Sequence, residues 1–179
     1  MGGSNTYSTR IFYIIGFDLL AYILTIRRLK KFGNYRFQTI LFHGRLTSEK
    51  TRAVPFPTPH AMVSSCIYNV RDKPLRLKAV IPDSVYFSVT FFARNQDCYF
   101  TLNDVEVKQK YGHNVEIILK SPKSTYKAKG KEIMVKTPRF SKLGLILIRI
   151  VIMNPENKDE INRIRKIQKM TTAEVVNNN

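Results

Sequence analysis

Hydrophobic and polar positions alternate with a period of two from Met62 onward, and that alternation predicts a chain built mainly of β-strands. MVSSCIYNV (62–70) has the form of a strand and RDKP (71–74) that of a turn. LRLKAVI (75–81) sets Leu75, Leu77 and Ala79 against Arg76 and Lys78. SVYFSVTFF (84–92) is the clearest run: Val85, Phe87, Val89 and Phe91 fall on one face and Tyr86, Ser88 and Thr90 on the other, as in a half-buried antiparallel strand. ARNQD turns the chain, CYFTLNDVEV returns it, YGHN turns it again, and VEIILK makes another short strand. SPKSTYKAKGK (121–131) is a polar, lysine-rich loop, after which KEIMVKTP and KLGLILIRIVIM supply two more strands, the second apolar enough for the centre of a sheet. Strands at this spacing predict an antiparallel sandwich or meander rather than alternating βαβ units. PENKDEINRIRKIQKM changes the period: Pro155 and acids lead, bases follow, and Ile161, Ile164 and Ile167 recur at helical spacing, so an amphipathic helix over 156–170 closes the domain.

The N-terminal third follows a different rule. After ten small polar residues that should lack fixed structure, IFYIIGFDLLAYILTI (11–26) runs apolar between Arg10 and Arg27. Sixteen residues span about 24 Å as a helix, short of a hydrocarbon core of roughly 30 Å, a gap that flanking arginines narrow by snorkelling. Ten Ile, Leu and Phe side chains contribute roughly −3 to −6 kcal/mol to insertion, and the one central acid, Asp18, costs about 2.5 to 3.5 kcal/mol. Asp18, Tyr22 and Thr25 fall on one stripe, which lets the acid face a partner helix or water and suggests self-association. A transmembrane helix over 11–26 is the expectation. No small-x-small site follows, and RRLKK stands where cleavage of an export signal would occur. Residues 27–53 form a basic amphipathic juxtamembrane segment, and Pro55, Pro57 and Pro59 forbid helix and make an extended lead-in to a β domain over 54–170. The tail 171–179 is expected to lack fixed structure.

Composition changes this picture in one respect. Thirty Lys and Arg against thirteen Asp and Glu leave +17, a surface that attracts anionic headgroups or nucleic acid, although scattered lysines from AT-rich coding also raise the charge. The bases Arg27, Arg28, Lys30 and Lys31 follow the apolar run, and 120–142 holds Lys120, Lys123, Lys127, Lys129, Lys131, Lys136, Arg139 and Lys142 against Glu132 alone.

Candidate chemistry is sparse. Cys66 and Cys98 have no CxxC or Cys/His metal spacing, both lie in predicted strands, and they read as small buried apolar residues. His43, His60 and His113 make no ligand pair, and no GxSxG elbow occurs. No catalytic residue, cofactor or metal site is assigned.

PTPHAMVSSCIYNVRDKPLRLKAVIPDSVYFSVTFFARNQDCYFTLND resembles the bacterial domain-of-unknown-function 1254 family in its short membrane-anchored form. The matching features are Pro59, Cys66, the turn from Asp72 to Pro74, Pro82 with Asp83, Asn95 with Asp97, and Asn103 with Asp104. LGLILIRIVI is similar to the family's final buried strand, with Arg149 in its place, and the resemblance covers roughly 54–153. It implies a jelly-roll or sandwich β domain, one N-terminal transmembrane segment and a periplasmic location, and brings no reaction, substrate or cofactor. Asp83, Asn95, Asp97, Asn103, Asp104 and Arg149 are thus motif residues without an assigned role. The Asn and Asp positions suit turns, or Asp83, Asp97 and Asp104 would line one rim and bind a cation. Arg149 is expected to snorkel or to pair with Asp83 or Asp104.

The functional expectation is a single-pass protein of the bacterial inner membrane whose β domain binds or scaffolds a partner. The positive-inside rule sets that domain in the cytoplasm, against the family's periplasmic side. The second reading is a soluble basic protein holding nucleic acid through 27–31 and 120–142.

Overall fold

The computed structural model describes residues 41–48 and 60–177, all within one compact unit. In chain order the described elements are β1 (Phe42–Leu46), β2 (Ala61–Asn69), β3 (Leu75–Val80), β4 (Phe87–Ala93), β5 (Cys98–Asn103), α1 (Asp104–Tyr111), β6 (Asn114–Lys120), β7 (Ile133–Lys136), β8 (Leu143–Val151), α2 (Lys158–Met170) and β9 (Thr172–Val175). The protein is mainly β. One sheet has the order β1-β2-β8-β4-β5 and the other the order β7-β6-β3-β9.

The period-two pattern builds both sheets. Phe87, Val89 and Phe91 of β4 are wholly buried, as are Met62, Cys66 and Tyr68 of β2 and Ile146, Ile148 and Ile150 of β8 to within 1%. Leu75, Leu77 and Ala79 of β3 meet them from the second sheet, with Val115, Ile117 and Leu119 of β6, in a single core. Two sheets sharing one core form a sandwich. β8 is the central strand of the first sheet, which is why both of its faces are apolar in sequence. Val107 of α1 and Ile164 of α2 enter the same core.

Four local features differ from the sequence expectation. CYFTLNDVEV stops being a strand at Asn103, whose side chain accepts from Glu106 N at 3.0 Å and caps α1. Asp104 and Glu106 in the first turn, Lys108 and Lys110 in the last and Gly112 at φ 77° complete a helix signature that outweighs the alternation of Val105 and Val107. β6 and β7 are parallel, so the second sheet is mixed rather than antiparallel. Thr172–Val175, inside the tail expected to lack structure, pairs with β3. Residues 42–46, inside the expected juxtamembrane segment, form the edge strand β1 against β2. The C-terminal helix is present and starts at Lys158 because Asn157 caps it, accepting from Asp159 N and Glu160 N. Cys66 is buried but Cys98 is exposed, so only the first is the small core residue expected, and both are free thiols. Among the described residues no helix is long and apolar enough to cross a membrane. The run 11–26, with Asp18, Tyr22 and Thr25, and the bases Arg27, Arg28, Lys30 and Lys31 lie outside the described residues.

Strand directions give the sandwich two distinct ends. The turns 70–74, 94–97 and 137–142 share one end, tied by Val70 N to Lys142 O at 2.9 Å and Arg94 N to Ser141 Oγ at 2.7 Å. α1 follows β5 at the other end. Gly144 sits at the turn end where Tyr68 crosses the sheet. Tyr68 Oη donates to Phe92 O at 3.0 Å and receives from Tyr99 Oη at 2.9 Å. A Cβ at 144 would lie 2.0 Å from Phe92 O and 2.3 Å from Tyr68 Oη. Because Phe92 O is backbone, Gly144→Ala should lower stability by about 3 kcal/mol, measured as a drop in the midpoint of urea unfolding at unchanged slope.

Candidate functional site

Parallel pairing of β6 with β7 forces the chain to leave at one end of the sheet and re-enter at the other. The crossing segment 121–132 lies on the outer face of the second sheet, where Arg76 on β3 stands beside Ile118 on one side and Glu174 on the other. Tyr126, expected in an exposed loop, is only 2% exposed. Its hydroxyl donates to Glu132 Oε1 at 3.0 Å and receives from Arg76 Nη2 at 3.2 Å. Arg76 Nη2 also reaches Glu132 Oε1 at 3.1 Å, and Nη1 reaches Glu174 Oε1 at 3.3 Å. Glu132 Oε2 takes Lys129 N at 2.9 Å, and Lys120 Nζ donates to Tyr126 O. Burial alone would raise the Glu132 pKa, but the Lys129 amide, the Tyr126 hydroxyl and the Arg76 guanidinium together hold it below the ordinary 4.5. Burial and then the Glu132 hydrogen bond push the Tyr126 phenol up.

The single acid of 120–142 is therefore turned inward, while Lys123, Lys127, Lys129, Lys131, Lys136 and Arg139 are exposed. The crossover thus sets an inward-bound acid beneath a row of exposed cations.

A second constellation was invisible in sequence because its members are 21 and 104 residues apart. His43 Nδ1 stands 2.9 Å from Ser64 Oγ, and Gln168 Nε2 approaches Ser64 Oγ at 3.1 Å, Gly44 O at 3.2 Å and Val63 O at 3.3 Å. The Ser–His distance suits an activated nucleophile, yet Ser64 is 1% exposed and no described carboxylate orients the imidazole. The trio instead staples α2 to β1 and β2. Burial first, then the nearby Lys169 charge, lowers the His43 pKa from 6.5. The Cys66 thiol, pushed up to about 12 by burial, is equally unsuited to attack.

The motif residues are scattered. Asp83, at the α1 end, meets Lys108 Nζ at 3.4 Å and His113 Nδ1 at 3.6 Å. Asn103 and Asp104 cap and open α1 at that same end, whereas Asn95 and Asp97 lie in the turn at the opposite end, bonded to each other at 2.6 Å. The expected acidic rim of Asp83, Asp97 and Asp104 is thus split between two ends, and among the described residues no three His, Cys, Asp or Glu side chains can share a metal ion. Arg149 stands between Val63 and Ser88 on the outer face of the first sheet. Asp83 is engaged elsewhere and no described acid pairs with Arg149, which is partly exposed.

A family model described as "Protein of unknown function (DUF1254)" matches residues 38–174. The chain belongs to the DUF1254 family. The match is wider than the resemblance over 54–153 and takes in β1 and α2. Among curated proteins none matches. Two crystal structures are similar in fold. The VPA0106 protein of Vibrio parahaemolyticus has a TM-score of 0.60 at 10% identity, with 80% of this chain and 31% of that chain covered. A protein of Burkholderia cenocepacia has a TM-score of 0.50 at 12% identity, with 93% and 42% covered. The chain therefore spans under half the length of both.

Two outcomes follow for this DUF1254 domain. Glu132→Ala leaves Arg76 without its nearest carboxylate and should cost about 3 kcal/mol, read by thermal unfolding at neutral pH. In the parent the unfolded chain binds the Glu132 proton more readily than the folded chain, so this stabilisation is complete above pH 4.5 and is lost as pH falls below it. The mutant's deficit should shrink on acidification; a constant deficit would contradict the ionic role. For His43 the unfolded state again binds the proton more readily, so stability is full above pH 6.5 and falls below it. His43→Gln should flatten that limb of the stability–pH curve.

Proposed function

We propose that this DUF1254 chain is a membrane-held binding module, with residues 11–26 as a single-pass anchor in the bacterial inner membrane and a jelly-roll-like sandwich as the binding part. The observation that carries the reading is the disposition of charge over 120–142, where eight Lys and Arg meet one acid and that acid is bound inward by Arg76. Cations held on a fixed crossover suit a surface rich in phosphates but loose in geometry. Anionic headgroups fit that description, each basic residue near them contributing about 1 kcal/mol. Arg27, Arg28, Lys30 and Lys31, directly after the anchor, would meet the same headgroups, and the stripe of Asp18, Tyr22 and Thr25 offers a route to self-association. Single-stranded nucleic acid is less well served, because of the two aromatic residues of 120–142 Tyr126 is 2% exposed and Phe140 alone offers a stacking face.

The reading is tested on the full chain in vesicles of phosphatidylcholine alone and of equimolar phosphatidylcholine and phosphatidylglycerol, labelled with an amine-reactive reagent and read by mass spectrometry. Lys123, Lys127 and Lys136 should be protected in the anionic vesicles and lose that protection at high salt, while Lys110 at the α1 end reacts equally in both. Equal labelling of all four, or recovery of the chain in the soluble pool of cells after a low-salt wash, would overturn it.

A further inference from the structure

Phe140 is 63% exposed, and every other phenylalanine among the described residues is buried or partly buried. The turn that carries it is fixed. Ser141 N donates to Pro138 O at 3.0 Å and Thr137 N to Lys120 O at 2.9 Å. Ser141, 1% exposed, donates its hydroxyl to Leu143 O at 2.6 Å while accepting from Arg94 N at 2.7 Å. An apolar ring on a braced turn is presented to solvent rather than left there by looseness.

Its surroundings are basic, in a way that only the fold reveals. The bonds from Arg94 N to Ser141 Oγ and from Val70 N to Lys142 O bring three separate turns together, so Arg71, Arg94, Arg139 and Lys142 share this end with Phe140, and Arg71, Arg94 and Arg139 are exposed. Two acids share this end: Asp97, hydrogen-bonded to Asn95, and Asp72. β1 runs antiparallel to β2, with Phe42 opposite Ser65 and Leu46 opposite Met62, so its first residue is the one nearer the turn end. Leu41, just before it, therefore lies toward the turn end.

We infer that the turn end is the membrane-contacting pole of the domain, with Phe140 entering the headgroup–acyl boundary of an anionic bilayer and Arg71, Arg94, Arg139 and Lys142 binding the surrounding phosphates. Amphipathic placement of this kind, an apolar group at the boundary with cations around it, is what an interfacial contact needs. The inference rests on the membrane reading above and adds which pole meets the lipid.

The chain contains no tryptophan, so Phe140→Trp in the full-length protein is a single-site reporter and Val105→Trp, 61% exposed on α1 at the other end, is its control. In vesicles of equimolar phosphatidylcholine and phosphatidylglycerol the emission of the Phe140→Trp protein should shift to shorter wavelength and lose most of its intensity to brominated acyl chains, with neither change in phosphatidylcholine alone. The Val105→Trp protein should respond in neither. Emission from position 140 that stays that of a solvated indole, or responds equally in both vesicle types, or shifts with duplex DNA instead of lipid, would overturn the inference. Protected lysines with a solvated indole at 140 would leave the membrane reading standing and remove only this pole; unprotected lysines would remove the reading itself.

Discussion

The outer half of this fold depends on one guanidinium. A parallel strand pair cannot be closed by a tight turn, so β6 and β7 require a crossover, and in a crossover rich in lysine Tyr126 is the one large side chain buried against the sheet. Arg76 supplies the adhesion. It holds Glu132 and the Tyr126 hydroxyl on one side and Glu174 of β9 on the other, linking the crossover and the C-terminal strand to the same point on β3. Its Nε has no hydrogen-bond partner, with Glu116 Oε2 standing at 3.8 Å, so the knot is held mainly through the two terminal nitrogens. That arrangement lets a strongly basic segment be ordered without neutralising its outer surface.

The strands were legible because a sheet with one buried face writes a period of two into its sequence, and SVYFSVTFF and LRLKAVI carry that period without interruption. β8 was legible as a central strand for the complementary reason, apolar residues on both faces. α1 was misread because Val105 and Val107 continue the alternation by chance, although Asn103, the early acids, the late lysines and Gly112 together spell a capped helix. The parallel pairing was not legible, since nothing in IMVK or VEIILK states the direction of its neighbour. β9 was missed because TAEV is short and polar: only Ala173 is packed against the core, and the strand's place is set by Arg76 and by Val176 N bonding Pro74 O.

The candidate sites were less legible than the fold, and the cause is separation along the chain. His43, Ser64 and Gln168 come together only when an edge strand, a central strand and a terminal helix have packed. The basic pole needs three turns, from 70–74, 94–97 and 137–142, to be brought to one end. Each turn contributes residues ordinary for turns, and no local pattern marks their shared destination. By contrast, four of the Asn and Asp positions that looked most like a site are explained locally: Asn103 caps a helix and Asp104 opens it, and Asn95 organises its own turn with Asp97.

The charge imbalance takes on a physical meaning once the acids are located. The chain has thirteen. Glu116, Glu132 and Glu174 are engaged with Arg76 or Lys78, and Asp83 with Lys108 and His113. Asp104 and Glu106 occupy the first turn of one helix and Asp159 and Glu160 that of the other, where they offset the positive end of the helix dipole. Coding bias would multiply lysines, but it would not set eight acids where the fold itself uses them. A chain so poor in acids that uses most of them inside the fold leaves the exposed cations of the crossover and of the turn end in excess of the acids beside them, Asp72 and Asp97 at the turn end.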